Sequence, residues 1–188
     1  MYPPKLQTIR LMNGIALLNT ERAEGYNKLL KFLRSKTNEN LHHLNLELVL
    51  SNFIRDSKLY SHTLNNIVLI EGGKMPYGIK ADQQLYQMSI RMKELFADTS
   101  GQELLHFCRQ CEEIMLNGYE LVLNENRLGH DPKEIVIRQQ KELIKAAELI
   151  QALGGPFIAG AENFRKTPVY QLHQAIEDST LSSLSKPA

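Results

Sequence analysis

Cysteine is scarce in this chain. Its two thiols, Cys108 and Cys111, are too few and too close together to build a disulfide framework. An excess of one charge is equally lacking, since 22 Lys and Arg face 21 Asp and Glu for a formal net charge of +1. No basic cluster of the kind that grips a phosphate backbone interrupts that balance, which argues against nucleic acid as a partner. No apolar run approaches the ~20 residues that span a bilayer. Met1-Tyr2-Pro3-Pro4-Lys5 lacks the charged-then-apolar pattern of a secretory leader. The expectation is therefore a soluble cytoplasmic protein with no membrane partner. Gly72-Gly73 and Gly154-Gly155 follow helical stretches instead of preceding them, so no phosphate-cradling loop is offered. No serine stands in a nucleophile-elbow pattern.

What is present is helical periodicity. The 188 residues are 43% apolar and 23% charged, which suits one domain with a sizeable core. Ile9, Met12, Ala16, Asn19, Ala23, Tyr26, Leu30 and Leu33 recur in steps of three and four. A second row, Leu11, Ile15, Leu18, Arg22, Leu29 and Phe32, lies beside it and widens the buried face of a first helix from Leu6 to Ser35. The second helix is expected from Asn40 to Glu71, with Leu46, Val49, Leu50, Phe53, Tyr60, Leu64, Ile67 and Val68 as its main stripe. Leu41, Leu44, Leu48, Leu59 and Leu69 fall on another side, which needs a cover from a helix or a second subunit. Gly72-Gly73 closes this helix, with Pro76 beyond.

Residues 74–100 read as a long crossover. Asp82 caps an accessory helix carrying Leu85, Met88, Met92, Leu95 and Phe96 on one face, placed to cover the extra stripe. Ser100-Gly101-Gln102-Glu103 has capping-box spacing and opens a third helix ending near Glu125. Asp131-Pro132-Lys133-Glu134 reads as an Asp cap followed by Pro at the first helical position, opening a fourth helix to Leu153. The predicted architecture is all-α: residues 1–156 form two helical hairpins joined by a crossover with an accessory helix, a topology that ferritin-like four-helix bundles use. Residues 157–188 are expected to form a C-terminal arm, docked on the bundle or on a neighbour, or a tail.

The two halves echo each other. Asn19 precedes Gly25-Tyr26 as Glu112 precedes Gly118-Tyr119, with two helical turns between polar residue and tyrosine in both cases. The run Asn19-Thr20-Glu21-Arg22-Ala23-Glu24-Gly25-Tyr26 resembles the first-helix signature of a bacterial ferritin-like four-helix-bundle family of unknown function. Cys108 to Tyr119, with Glu112 and Glu113, is similar to its third-helix signature, and Gln140, Ile144, Ala147, Ile150 and Leu153 fit its fourth. The resemblance covers residues 8–154. It implies a ferritin-like fold and supplies no catalytic residue.

A di-iron carboxylate centre needs one Glu from each of two helices and Glu-x-x-His from each of the other two. Projection at about 100° per residue aims Asn19, Tyr26, Asp56, Tyr60, Glu112, Tyr119, Gln139 and Gln140 inward, with Asp56 and Ser57 at the edges of the second helix's stripe and no histidine. Two carboxylates cannot readily hold two divalent ions. These eight residues are accordingly expected to form a buried hydrogen-bond network in which Glu112 meets Asn19, a tyrosine hydroxyl or a glutamine amide. Glu39-Asn40-Leu41-His42 and Glu103-Leu104-Leu105-His106 sit at helix starts, where a cap or polar turn explains them. Cys108 and Cys111 fall inside a helix on its core side and read as buried free thiols.

The leading expectation is a non-enzymatic bundle without cofactor, acting through homo-oligomerisation or protein interaction. The alternative is a di-iron-type oxidase or iron-handling protein in which Asp56 and Glu112 ligate iron or manganese. A small apolar ligand held between the helices is a third reading, its identity unspecified by the sequence.

Overall fold

The computed structural model describes residues 4–35, 41–74, 81–97, 104–125 and 128–153. Five helices account for almost all of them: α1 (Pro4–Ser35), α2 (Leu41–Ile70), α3 (Gln83–Leu95), α4 (Leu104–Leu123) and α5 (His130–Leu153). The fold is all-α, and no strand occurs among the described residues. No helix among them is long and apolar enough to cross a membrane.

α1 is the spine because its apolar residues occupy more than one side. Leu11, Met12, Ile15, Leu18 and Leu29 are each at most 1% exposed, and full burial of such a side chain contributes about 1.5–3 kcal/mol. Helices α2, α3 and α4 all pack against it. Arg34 bonds Glu47 and Thr20 bonds Ser61, so α1 and α2 run antiparallel. Tyr26 meets Glu112 while Asn19 meets Tyr119, which sets α4 antiparallel to α1 as well. α5 follows α4 after a short connection, and Gln139 faces Tyr119.

Local signals set the helix ends. α2 stops at Gly72, whose φ of 81° is open to glycine and costly for a side chain. Gly72 N donates to Leu69 O and Gly73 N to Val68 O, the pairing of a Schellman closure. Asp82 caps α3 through Gln84 N at 2.9 Å, as expected. The expected cap at Asp131 is corrected: Lys133 N already donates to Gly129 O at 3.1 Å, so α5 opens at His130. Asp131 lies within the first turn, its carboxylate 97% exposed beside His130. Pro132 remains tolerable there because the first helical N–H groups lack partners in any case.

The crossover helix settles elsewhere than expected. α3 packs on α1 and α4, burying Leu85, Ser89, Met92 and Phe96, and Leu48, Leu59 and Leu69 of the second stripe of α2 stay exposed. Glycines explain the choice. A Cβ on Gly25 would run into the Phe96 ring, and one on Gly14 into Leu85. One on Gly118 would lie 2.5 Å from Leu18 Cδ1. These bare patches form a saddle between α1 and α4 that a helix can enter closely, whereas α2 offers none. The contacts close a compact unit at Ile150. The expected arm at 157–188, the Ser100–Glu103 cap and both Glu-x-x-His strings, each in part or whole, lie outside the described residues.

Candidate functional site

At the level of Tyr26 and Tyr119 the interior is polar. Arg22 and Glu112 are each 1% exposed. Arg22 Nε donates to Glu112 Oε1 at 2.9 Å and Nη2 to Oε2 at 3.0 Å, the bidentate geometry a guanidinium imposes on a carboxylate. Nη1 turns the other way and donates to Ser57 Oγ at 2.7 Å, and that hydroxyl donates to Phe53 O at 2.7 Å. Tyr26 closes the carboxylate by donating its hydroxyl to Glu112 Oε1, with the Cys108 carbonyl more distant at 3.5 Å. The guanidinium carbon stands 5.2 Å from the Tyr26 ring centroid and 4.9 Å from that of Phe53, within reach of cation–π attraction.

A second cluster lies about two turns along α4. Asn19 Nδ2 donates to Tyr119 Oη at 2.8 Å and to its own helix at Ile15 O, also at 2.8 Å. Tyr119 donates onward to Gln139 Oε1 at 2.8 Å. Asn19 Oδ1 is buried without a hydrogen-bond partner. The internal repeat thereby acquires a physical meaning. Each helix carries a polar residue seven positions before a tyrosine, and in the antiparallel pair each polar residue bonds the tyrosine of the other helix.

The electrostatics hold this arrangement in one protonation state. Burial would strip the proton from Arg22, but the Glu112 carboxylate outweighs it and raises the guanidinium above its ordinary value. Burial, then the neighbouring Cys111 and Glu112, pushes the Tyr26 hydroxyl well up. Burial raises Tyr119 also. The free thiols Cys108 and Cys111 sit beside the same carboxylate. Burial, reinforced by Glu112, drives Cys108 up to about 12 and Cys111 well above the thiol range. Burial thus favours the protonated form of both phenols and both thiols, beside one tight ion pair.

Of the eight residues expected to point inward, the structure brings five into these clusters: Asn19, Tyr26, Glu112, Tyr119 and Gln139. Asp56 is corrected to the periphery, its carboxylate 35% exposed and paired with Arg55 at 3.2 Å. A helical register that buries Ser57 at 0% turns the preceding residue outward. Tyr60 is partly exposed, its phenol pushed up to about 12 chiefly by burial and then by Asp56. Gln140 is also partly exposed, and neither joins the clusters. Of the partners expected for Glu112 (Asn19, a tyrosine hydroxyl or a glutamine amide), it is a tyrosine hydroxyl, that of Tyr26, that meets it, together with Arg22.

Two members stand outside the eight, Arg22 and Ser57. Arg22 had been placed in an apolar row as though its charge were incidental, yet a cation on a buried face requires an anion. Glu112 was the one central carboxylate available to it. The donor set also bears on a di-iron centre. Among the described residues it holds one interior carboxylate, already bound in a fork by a guanidinium, and no inward imidazole. That set does not fit two hard divalent cations. Among the described residues, no three His, Cys, Asp or Glu side chains converge on one point.

A groove of about 420 Å³ runs along the outside of α1 and α2, lined by Thr20, Glu24, Asn27, Lys58, Ser61 and His62. Its walls mix these polar side chains with Ala23 and the apolar stems of their neighbours, and nothing in it converges on a reacting atom. Compared with protein-family models, with curated proteins and with solved structures, the chain matches none.

Proposed function

We propose that this chain is a non-enzymatic bundle of the ferritin-like kind that acts through its outer surface, by oligomerising or by binding another protein. The observation that carries the reading is the Arg22–Glu112 fork. A fixed guanidinium occupies the ligand positions that a metal would take in the interior. A divalent ion would have to displace a partner 1% exposed, and freeing one member of a buried pair costs about 3–5 kcal/mol. Support for the topology comes from the chain directions, with α1 antiparallel to α2 and to α4 across a connection that carries α3. Two hairpins joined by such a crossover is how ferritin-like bundles are wired.

The test is metal content. Protein purified without chelators, then equilibrated with Fe(II) or Mn(II) and desalted, is expected to retain substoichiometric metal that Glu112→Gln does not change. Stoichiometric metal lost on that substitution would overturn the proposal and favour an oxidase or iron-handling role for Glu112.

A further inference from the structure

The groove outside α1 and α2 follows from how the two helices are tied. Thr20 Oγ1 and Ser61 Oγ meet at 3.1 Å. Thr20 already donates its hydroxyl proton to Ala16 O at 3.1 Å, so Ser61 is the donor between them. One turn along α1 from that bond stands Ala23, 5% exposed. Its methyl is too short to fill the space between the helices and lies at the bottom of the groove. Because the helices run antiparallel, Asn27 and Asn65 fall towards opposite ends. The space left, about 420 Å³, is within the ~300–1,000 Å³ of small-molecule sites.

Charge divides this groove by wall. α1 contributes an exposed anion, Glu24, and α2 contributes Lys58 and, one turn on, His62. Counting from the Thr20–Ser61 bond, four residues on along α1 and three back along α2, sets Glu24 across from Lys58. Even so, no ion pair joins the two, and among the described residues neither has a hydrogen-bond partner. Neighbouring Arg55 and Asp56, by contrast, neutralise each other at 3.2 Å. Asn66 Nδ2 donates to His62 Nε2 at 3.3 Å, which puts the proton of the neutral ring on Nδ1 and leaves it free to donate. One wall thus accepts from a cation and the other donates to an anion.

We infer that this groove binds a small zwitterion carrying an ammonium and a carboxylate, the chemistry of a free amino acid or a short unblocked peptide. The ammonium sits on Glu24, and the carboxylate takes the Lys58 ammonium and the His62 Nδ1–H on the facing wall. A molecule with a single charge leaves one wall unanswered. Direct pairing of two exposed charges such as Glu24 and Lys58 gains little in water, so a ligand entering between them displaces nothing costly. The site goes beyond the surface-acting reading above and uses no residue of the buried clusters. Since the groove is open to solvent, the dissociation constant is weak, about 1–10 mM.

Amide magnetic resonance spectra of the isotope-labelled full chain, titrated to about 50 mM ligand, cover that range. Glycine and glycylglycine are the zwitterions; N-acetylglycine lacks the ammonium and glycinamide lacks the carboxylate. At least one zwitterion is expected to shift the signals of residues 20–27 and 58–65 saturably, and the tighter of the two tells amino acid from peptide. Both singly charged analogues should bind about tenfold more weakly or not at all. Glu24→Gln and Lys58→Gln, at exposed positions, should each weaken binding about fivefold or more with the thermal midpoint unchanged. No saturable shift with either zwitterion overturns the site. Binding of N-acetylglycine or glycinamide as tight as that of the zwitterion overturns it too, as does binding indifferent to both substitutions.

Discussion

Replacing Arg22 by Met leaves Glu112 buried with Tyr26 as its remaining partner, and replacing Glu112 by Leu leaves a guanidinium facing apolar neighbours and Ser57. Each single change strands a charge in a place 1% exposed, so each is expected to destabilise the fold by about 3–5 kcal/mol. The double variant strands neither. It removes the acceptor of the Tyr26 hydroxyl and the donor to Ser57, at about 1–3 kcal/mol. The gain from exchanging a buried ion pair for packed apolar groups, about 1–4 kcal/mol, offsets that loss.

The double variant should thus fall within about 2 kcal/mol of the parent, with a coupling energy of about 4 kcal/mol or more. Urea unfolding followed by far-ultraviolet circular dichroism measures it, since the chain has no tryptophan to report by fluorescence. Glu112→Gln, which keeps an acceptor but no charge, should fall between parent and singles. Additive losses in the double variant, or single losses under about 1 kcal/mol, would refute the claim that these charges are buried and committed to each other.

Three further outcomes are expected. Tyr119→Phe removes the acceptor of Asn19 and the donor to Gln139, and should lower unfolding free energy by about 1–3 kcal/mol in the same urea assay. Gly25→Ala forces a methyl into the Phe96 ring and should lower stability by about 1–3 kcal/mol, read as a fall in thermal midpoint; an unchanged midpoint would mean that α3 is not seated on that glycine. Alkaline pH should weaken the fold. Cys108 ionises near 9.0 when exposed and near 12 when folded, so its contribution is intact below pH 9 and declines as the pH climbs towards 12. At pH 11 the loss from this thiol alone is about 3 kcal/mol, and Cys111, Tyr26 and Tyr119 shift in the same direction. Urea unfolding at pH 8 and pH 11 with equal free energies would contradict this.

The helices were legible in the sequence because apolar spacing and end signals are local. The two rows of α1, the Gly72 closure and the Asp82 cap could all be read within a turn or two. What was not legible depends on which helix faces which. The crossover helix goes to α1 and α4 because Gly14, Gly25 and Gly118 make room for Leu85 and Phe96, a complementarity split across three segments. Asp56 and Ser57 illustrate the limit of angular projection. Both lay near the edge of a stripe, and a small rotation of α2 decides that Ser57 is enclosed and Asp56 is not. Arg22 was missed for another reason: position alone placed it in the core, and only the cost of an unpaired buried charge could have assigned it to Glu112.

Register follows from that same cost. Leu, Met and Ile along α1 and α4 would pack tolerably if the helices slid by one turn, about 5.4 Å, because one aliphatic side chain substitutes for another at modest expense. The polar pairs do not permit the slide. A one-turn shift separates Asn19 from Tyr119, Tyr26 from Glu112 and Arg22 from Glu112 together, leaving an anion and a cation enclosed without partners. Each stranded charge costs more than the shift could recover by repacking. The repeated spacing of polar residue and tyrosine thus acts as a two-point lock: in an antiparallel pair, equal spacing on both helices lets both bonds form at one register.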